Sequence, residues 1–491
     1  MEITSFYFLC FYAALLLLYY LVPKRAQWPL LLAASVGFYL LGGNGWLLLY
    51  PASAVAVTYG CTRVMAASEK TAVRRAALLA DILLLIGVLA ALKYVRFNGG
   101  MAIPLGLSFY TFSLVGYAAD VYNGIAVCQK NPAKTALYGL FFPTMISGPI
   151  LRYREDGAQL FERHPFDYEN VTRGLQRMVW GFFKKLVISE RAAIVANTVF
   201  NNYEAYPGAY IWVGTLMFTI QLYTDFSGCM DIVIGLAQTF GLRLPENFRT
   251  PFFSKSISEY WRRWHITLGV WMKEYVFYPL LRSPLFMKMN RTLRARCGKK
   301  AGKQLTTFTA MFVLWLSVGL WHGGALKYVI GSGLLHWFYI VTGEVTLPFW
   351  KKALPRLHIP MEGRGPDLFR IARTFFLVNI GNLFFRAASA ADGARMAVSG
   401  LRLSNAGELF SPEHGLLTLG LDGIEMTILL VSAAMLFTVS VLQRRGSVRE
   451  RIAAKPLAVR WLLWYCLLFY VILLGNYGPG YSSSEFIYQG F

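Results

Sequence analysis

Residues 304–326 read QLTTFTAMFVLWLSVGLWHGGAL, a run without a single Asp, Glu, Lys or Arg. A helix crossing the hydrocarbon core of a bilayer needs about 20 mostly apolar residues, and this segment is long enough. It is flanked by Lys303 and Lys327, and the stretch before it, 281–303, carries Arg282, Lys288, Arg291, Arg294, Arg296, Lys299, Lys300 and Lys303 with no acidic residue. Basic residues concentrate on the cytoplasmic side of membrane helices. The pair of segments therefore reads as a cytoplasmic loop feeding a spanning helix that ends in Trp321-His322-Gly323-Gly324.

Outward from this stretch the pattern repeats. Segments 5–22, 26–62, 97–119, 135–151, 205–224, 426–443 and 461–484 also lack charged residues, and 76–92 is broken only by Asp81. Segment 26–62 is long enough for two short passes, separated at Gly42-Gly43-Asn44-Gly45. The expected fold is an all-α polytopic membrane protein of roughly 9–12 membrane-embedded helices, some re-entrant, with residues 1–491 treated as one domain. Basic segments 351–373 and 444–460 place further loops in the cytoplasm, so 304–343 leaves and returns as a hairpin. Lys184-Lys185 interrupt an apolar helix, and irregular helices are expected there.

The whole chain of 491 residues is 56% hydrophobic yet has a formal net charge of +22. Nucleic-acid binders concentrate basic residues on polar domains. Here the charge sits between apolar runs, so the implied partner is membrane lipid and not nucleic acid. The six cysteines form no CxxC pair, zinc spacing or disulfide framework, and no metal site is expected. Neither a GxSxG elbow, an HExxH, a phosphate loop nor a dinucleotide glycine motif occurs.

Histidine is the informative type. His322 lies roughly 15–27 Å from the start of its helix, depending on where that helix begins. Burial disfavours an imidazolium, so a neutral ring suited to taking a proton from a hydroxyl is expected, with Gly323 and Gly324 permitting close approach. The alternative is a histidine bonded to a helix neighbour for packing. His336 follows in GLLHW; on a continuous helix it would stand about 21 Å away, whereas a break at Gly323-Gly324 would put it on a returning arm. A supporting role is expected for it.

His265 belongs to SISEYWRRWHITLGVWMKEYVFYPL, in which Trp261, Trp264, Trp271 and Tyr275 alternate with Arg262, Arg263 and Lys273 behind the N-cap candidates Ser256 and Ser258. This reads as an amphipathic helix at the membrane interface. Asp225 and Asp231, in YTDFSGCMDI, are ionisable residues among apolar ones. On a helix they point about 120° apart, so they are not an obvious carboxylate pair, and helix capping around Phe226-Ser227-Gly228 is the competing reading.

Taken in order, the motifs resemble the membrane-bound O-acyltransferase family, in the branch containing alginate O-acetyltransferase and the teichoic-acid D-alanyl transferase. They are IPLGLSFYTF at 103–112, DVYNG at 120–124, FFPTMISGPILR at 141–152, DFSGCMDIVIGLA at 225–237, LPENFRTPFFSKSISEYWRRWHITLGVW at 244–271, GLWHGG at 319–324, GNLFFRA at 381–387 and FIYQGF at 486–491. The resemblance implies a central tunnel, with His322 as the near-invariant catalytic histidine and His265 as the second. It implies a cytoplasmic acyl donor, acetyl-CoA or an acyl carrier protein, with no permanently bound cofactor. The acceptor lies on the extracytoplasmic side, together with an acyltransferase or esterase-like partner protein.

Asp225, Ser227, Trp261, Arg262, Trp264, Trp321 and His336 are the expected substrate-binding or tunnel-lining residues. A bacterial inner or plasma membrane and acetyl transfer to a cell-surface polysaccharide are expected, with D-alanyl transfer to teichoic acid as the alternative. A transporter or flippase is the rival of another class; it predicts two related halves with paired broken helices, which the sequence does not show.

Overall fold

A computed structural model describes residues 2–42, 45–94, 103–145 and 147–477. The terminal FIYQGF motif and part of the Gly42–Gly45 break lie outside the described residues. Among those described the regular structure is helical apart from one isolated antiparallel bridge, Phe248 to Trp264. Among the described residues five helices are long and apolar enough to cross a membrane: Thr71–Tyr94, Lys299–Trp321, Arg364–Arg386, Gly423–Gln443 and Leu457–Leu474. With shorter apolar helices such as Phe6–Leu21 beside them, they make a multi-pass membrane protein.

Local signals set the helix starts. Asp422 caps Gly423–Gln443 by accepting from the Glu425 N–H at 2.8 Å, with Glu425 in the first turn. Ser256 caps the short Ile257–Tyr260 helix through the Glu259 N–H at 3.1 Å, while Glu259 reaches back to the Lys255 N–H at 2.8 Å. Of the two sequence candidates, Ser256 is therefore the cap. The basic stretch 281–303 is not an open loop: Pro284–Cys297 is a helix and Lys299 begins the next.

The chain divides into two compact units. The first comprises 1–186, 225–246 and 461–491. Its core is aromatic around Phe8, Phe38 and Phe142, with Ser35 Oγ accepting from the Phe142 N–H at 3.1 Å. Within it the Tyr168–Phe182 helix and the later half of Ala209–Thr239 touch backbone to backbone. A Cβ on Gly174 would lie 2.5 Å from the Gly235 carbonyl oxygen, and one on Gly181 would lie 2.6 Å from that of Gly228. Small residues in reciprocal pairs allow this approach, as in other membrane helix pairs.

That approach brings charges together. Arg177 forms two bonds to Glu246, at 2.7 and 2.6 Å, and one to Asp231 at 2.7 Å. Lys184 reaches Asp231 at 2.5 Å and Ser227 Oγ at 2.9 Å, and Lys185 reaches Asp225 at 2.7 Å. Both lysines lie on the widened helical turns Phe183–Ser189, the irregularity expected from the sequence. Ala209–Thr239 is one helix through both aspartates, so helix capping at Phe226-Ser227-Gly228 does not occur.

The second unit comprises 187–224 and 247–460. Three of its elements, Lys299–Trp321, the widened turns Val329–Leu334 and Arg364–Arg386, are held together by glycines. A Cβ on Gly319 would meet Val329 Cα at 2.8 Å, one on Gly333 the Trp315 carbonyl at 2.7 Å, and one on Gly331 the Gly381 carbonyl at 2.8 Å. These contacts position the histidines.

Candidate active site

His322 caps the C-terminus of Lys299–Trp321, its N–H bonded to the Val318 carbonyl at 3.2 Å. Gly323 and Gly324 follow with φ of 146° and 69°, values that L side chains rarely adopt, so the chain turns here and does not continue as a helix. The break places His336 on the returning arm, in Leu335–Arg356. The His322 side chain is 2% exposed. Its ring lies 4.6 Å from Trp321 and meets Phe385 edge-on at 5.3 Å, while Tyr328 closes on Phe385 at 5.0 Å.

His265 is reached by a different route. The segment expected to be one interfacial helix is broken: Ile257–Tyr260 ends, the chain pairs with 247–249 through the Phe248–Trp264 bridge, and Ile266–Met272 restarts the helix. His265 stands at the restart with φ 45° and ψ 53°, the left-handed region. Trp264 and Trp271 are buried rather than interfacial. The correction has a physical reason. Trp264 stacks on Tyr260 at 5.6 Å and packs against Phe248 at 5.0 Å and Tyr223 at 6.1 Å, and burying these rings outweighs one more helical turn.

The His265 ring is 1% exposed and lies 5.9 Å from Trp321. Burial pushes its imidazole down to about 3. Asn247 Oδ1 lies 3.2 Å from His265 Nδ1. Trp321 thus packs against both histidines, and the structure brings His265, His322 and Trp321 together.

His336 forms a second cluster. Its ring packs edge-on against Trp261 at 4.9 Å and lies 5.6 Å from Trp315, and Trp261 and Trp315 are 4.9 Å apart. Trp315, Gly319 and His322 share one face of their helix, with Trp315 about 10 Å below His322. His336 and Trp261 therefore belong to a level about two turns from the His322 ring. Among the described residues the buried Nδ1 of His336 and Nε1 of Trp261 have no hydrogen-bond partner.

The remaining expected residues have other surroundings. Arg262 is exposed beside Lys273. Trp264 serves the loop around His265 through its aromatic stack. Asp225 and Ser227 belong to the first unit, where each is engaged by a buried lysine. Sequence reading overlooked Asn247, Trp315, Phe385 and the pairing of Lys184 and Lys185 with the aspartates. Asn247 had a signal, an amide between Pro245-Glu246 and the aromatic Phe248, but its partner is 18 residues away. Among the described residues no three His, Cys, Asp or Glu side chains gather in a way that could hold a metal ion.

The sequence model of the MBOAT, membrane-bound O-acyltransferase family, matches residues 129–385, which include His265, His322 and His336. The chain is 32% identical over 400 residues to a probable alginate O-acetylase AlgI of Pseudomonas syringae pv. tomato, covering 77% of this chain and 71% of that protein. It is 27% identical over 414 residues to a peptidoglycan O-acetyltransferase of Helicobacter pylori, covering 75% and 73%. A teichoic acid D-alanyltransferase of Bacillus subtilis is 30% identical over 289 residues, covering 57% of this chain and 68% of that protein. With two buried histidines packed on one tryptophan inside the matched region, the chain belongs to the membrane-bound O-acyltransferase family and is an acyltransferase.

Proposed function

We propose that this protein moves an acetyl group from cytoplasmic acetyl-CoA to hydroxyls of a cell-surface polysaccharide, across a bacterial inner membrane. The packing of His265 and His322 on Trp321 is the observation that carries this reading. Two buried rings on either side of one indole support the reading that they serve one reacting centre away from bulk water. His322 takes the proton of the acceptor hydroxyl as that oxygen attacks the thioester carbonyl carbon. A C–O bond forms, the C–S bond breaks, and the imidazolium returns its proton to the leaving thiolate. A tunnel that holds both substrates in line supplies the orientation on which the rate depends. In this reading the exposed Arg262 and Lys273 meet lipid headgroups or the phosphates of the donor.

The choice of acetyl follows the wider similarity, since the alginate O-acetylase match covers more of the chain than the D-alanyltransferase match. The reading includes an extracytoplasmic partner that completes delivery to the polysaccharide. Mass spectrometry of surface glycans from cells expressing the wild-type chain or His322→Ala tests it. Acetyl esters present with the first and absent with the second are expected. D-alanyl esters in their place would transfer the assignment to teichoic acid and an acyl carrier protein donor.

A further inference from the structure

Three donors converge on the Oδ1 of Asn247, a fully buried side chain. They are His265 Nδ1 at 3.2 Å, the Thr267 backbone N–H at 3.0 Å and Thr267 Oγ1 at 3.1 Å. The backbone closes the same loop. The Ile266 N–H donates to the Asn247 carbonyl at 3.1 Å, and the Arg249 N–H to the Arg263 carbonyl at 2.9 Å. These bonds hold His265 in its left-handed conformation, which bulky residues seldom adopt.

The Thr267 bond settles the chemistry of the His265 bond. A backbone N–H only donates, so the Asn247 atom facing it is the carbonyl oxygen and not the amide nitrogen. That oxygen only accepts, so His265 Nδ1 carries the proton. A neutral imidazole has one N–H, and Nε2 is then left with a lone pair.

We infer that Asn247 is a positioning residue that fixes His265 as the Nδ1–H tautomer, so that His265 meets the substrate through Nε2 as a hydrogen-bond acceptor. This rests on the reading of His265 as part of the reaction centre. It divides the work between the histidines. An oxyanion is stabilised by donors, which a lone pair at Nε2 is not; His265 instead holds an O–H or N–H of the substrate while His322 moves the proton. A tautomer set by an outer partner is a recognised means of orienting a catalytic imidazole.

The test uses the full-length protein in lipid bilayers with site-specific 15N labels in its histidine rings. Solid-state NMR of the wild type, with His265 signals identified by their loss in His265→Gln, is expected to show a protonated Nδ1 and an unprotonated Nε2 at neutral pH. Asn247→Asp keeps an acceptor for all three donors, so the loop keeps its fold, but the added carboxylate draws a second proton onto the ring. Both nitrogens then appear protonated, and surface O-acyl esters in cells expressing this variant fall at least tenfold. An Nε2–H tautomer in the wild type overturns the inference, as does an Asn247→Asp variant with an unchanged ring spectrum and full activity. Full activity in His265→Gln would instead remove His265 from the reaction, leaving the tautomer to be judged by the spectrum alone.

Discussion

The Trp321 ring lies 5.9 Å from the His265 ring and 4.6 Å from the ring of its own chain neighbour, His322. One indole therefore spaces two histidines from distant parts of the sequence. Trp321→Phe keeps an aromatic core residue but shortens this spacer. Displacements of about 1 Å in a reaction centre cost on the order of 100-fold in rate. Acyl transfer by Trp321→Phe is expected to fall about 10- to 100-fold while thermal unfolding in detergent changes little. Unaltered surface acylation would show that the spacing does not matter.

Gly174 and Gly181 are expected to reject even alanine. Each added Cβ would lie 2.5–2.6 Å from a backbone oxygen of the facing helix, and overpacking of this kind costs about 1–3 kcal/mol. Gly60 lies within a helix with open space around it, so Gly60→Ala is expected to be neutral or stabilising by up to about 1 kcal/mol. Unfolding midpoints of the three variants, measured side by side, check the contrast.

Lys185 and Asp225 form a pair whose side chains are 1% and 2% exposed. Removing one partner strands a buried charge, which costs about 3–5 kcal/mol. Replacing both by apolar residues of similar size removes that penalty. Lys185→Met and Asp225→Leu are each expected to lower stability markedly, and the double variant to recover most of the loss. Additive losses in the cycle would mean that the two charges do not depend on each other.

Burial holds the His265 imidazole down at about 3, below its ordinary 6.5. Between those values the unfolded chain binds a proton that the folded chain does not, so stability rises with pH across the window. The contribution is complete above about pH 6.5 and is lost as pH falls towards 3, at most about 1.4 kcal/mol per pH unit for one group. Unfolding midpoints measured from pH 7 to pH 4.5 should decline, and His265→Gln should decline less steeply. Parallel slopes for the two proteins would contradict the assignment.

Much of the fold is legible because the features concerned are local. The run 304–326 already contains a spanning helix, and Gly323-Gly324 already contain its end, since apolar length and left-handed glycines act within a few residues. The hairpin return that carries His336 follows from the same glycines. The WRRWH segment was misleading for a related reason. Its Trp and Arg spacing suits an amphipathic helix, but the rings find partners in Phe248 and Tyr223, which no local pattern displays. Nothing local to Asp225 and Asp231 identifies their partners, two lysines of another helix.

The sequence by itself determined that the chain lives in a membrane, that it is helical, and that its motifs resemble those of one acyltransferase family, a resemblance that implies His322 and His265 as its catalytic histidines. Those properties follow from apolar length, charge placement and motif order, which are additive along a chain. Only the tertiary structure decided that Trp321 lies against both histidines, that Asn247 dictates which nitrogen of His265 holds the proton, and that Lys185 neutralises Asp225. Each of these depends on helices approaching within backbone contact at Gly181, Gly228, Gly319 and Gly331, or on two short segments pairing across a loop. Such approaches join residues far apart in the chain, and helical periodicity carries no record of which distant surface will fill the space left by a missing side chain.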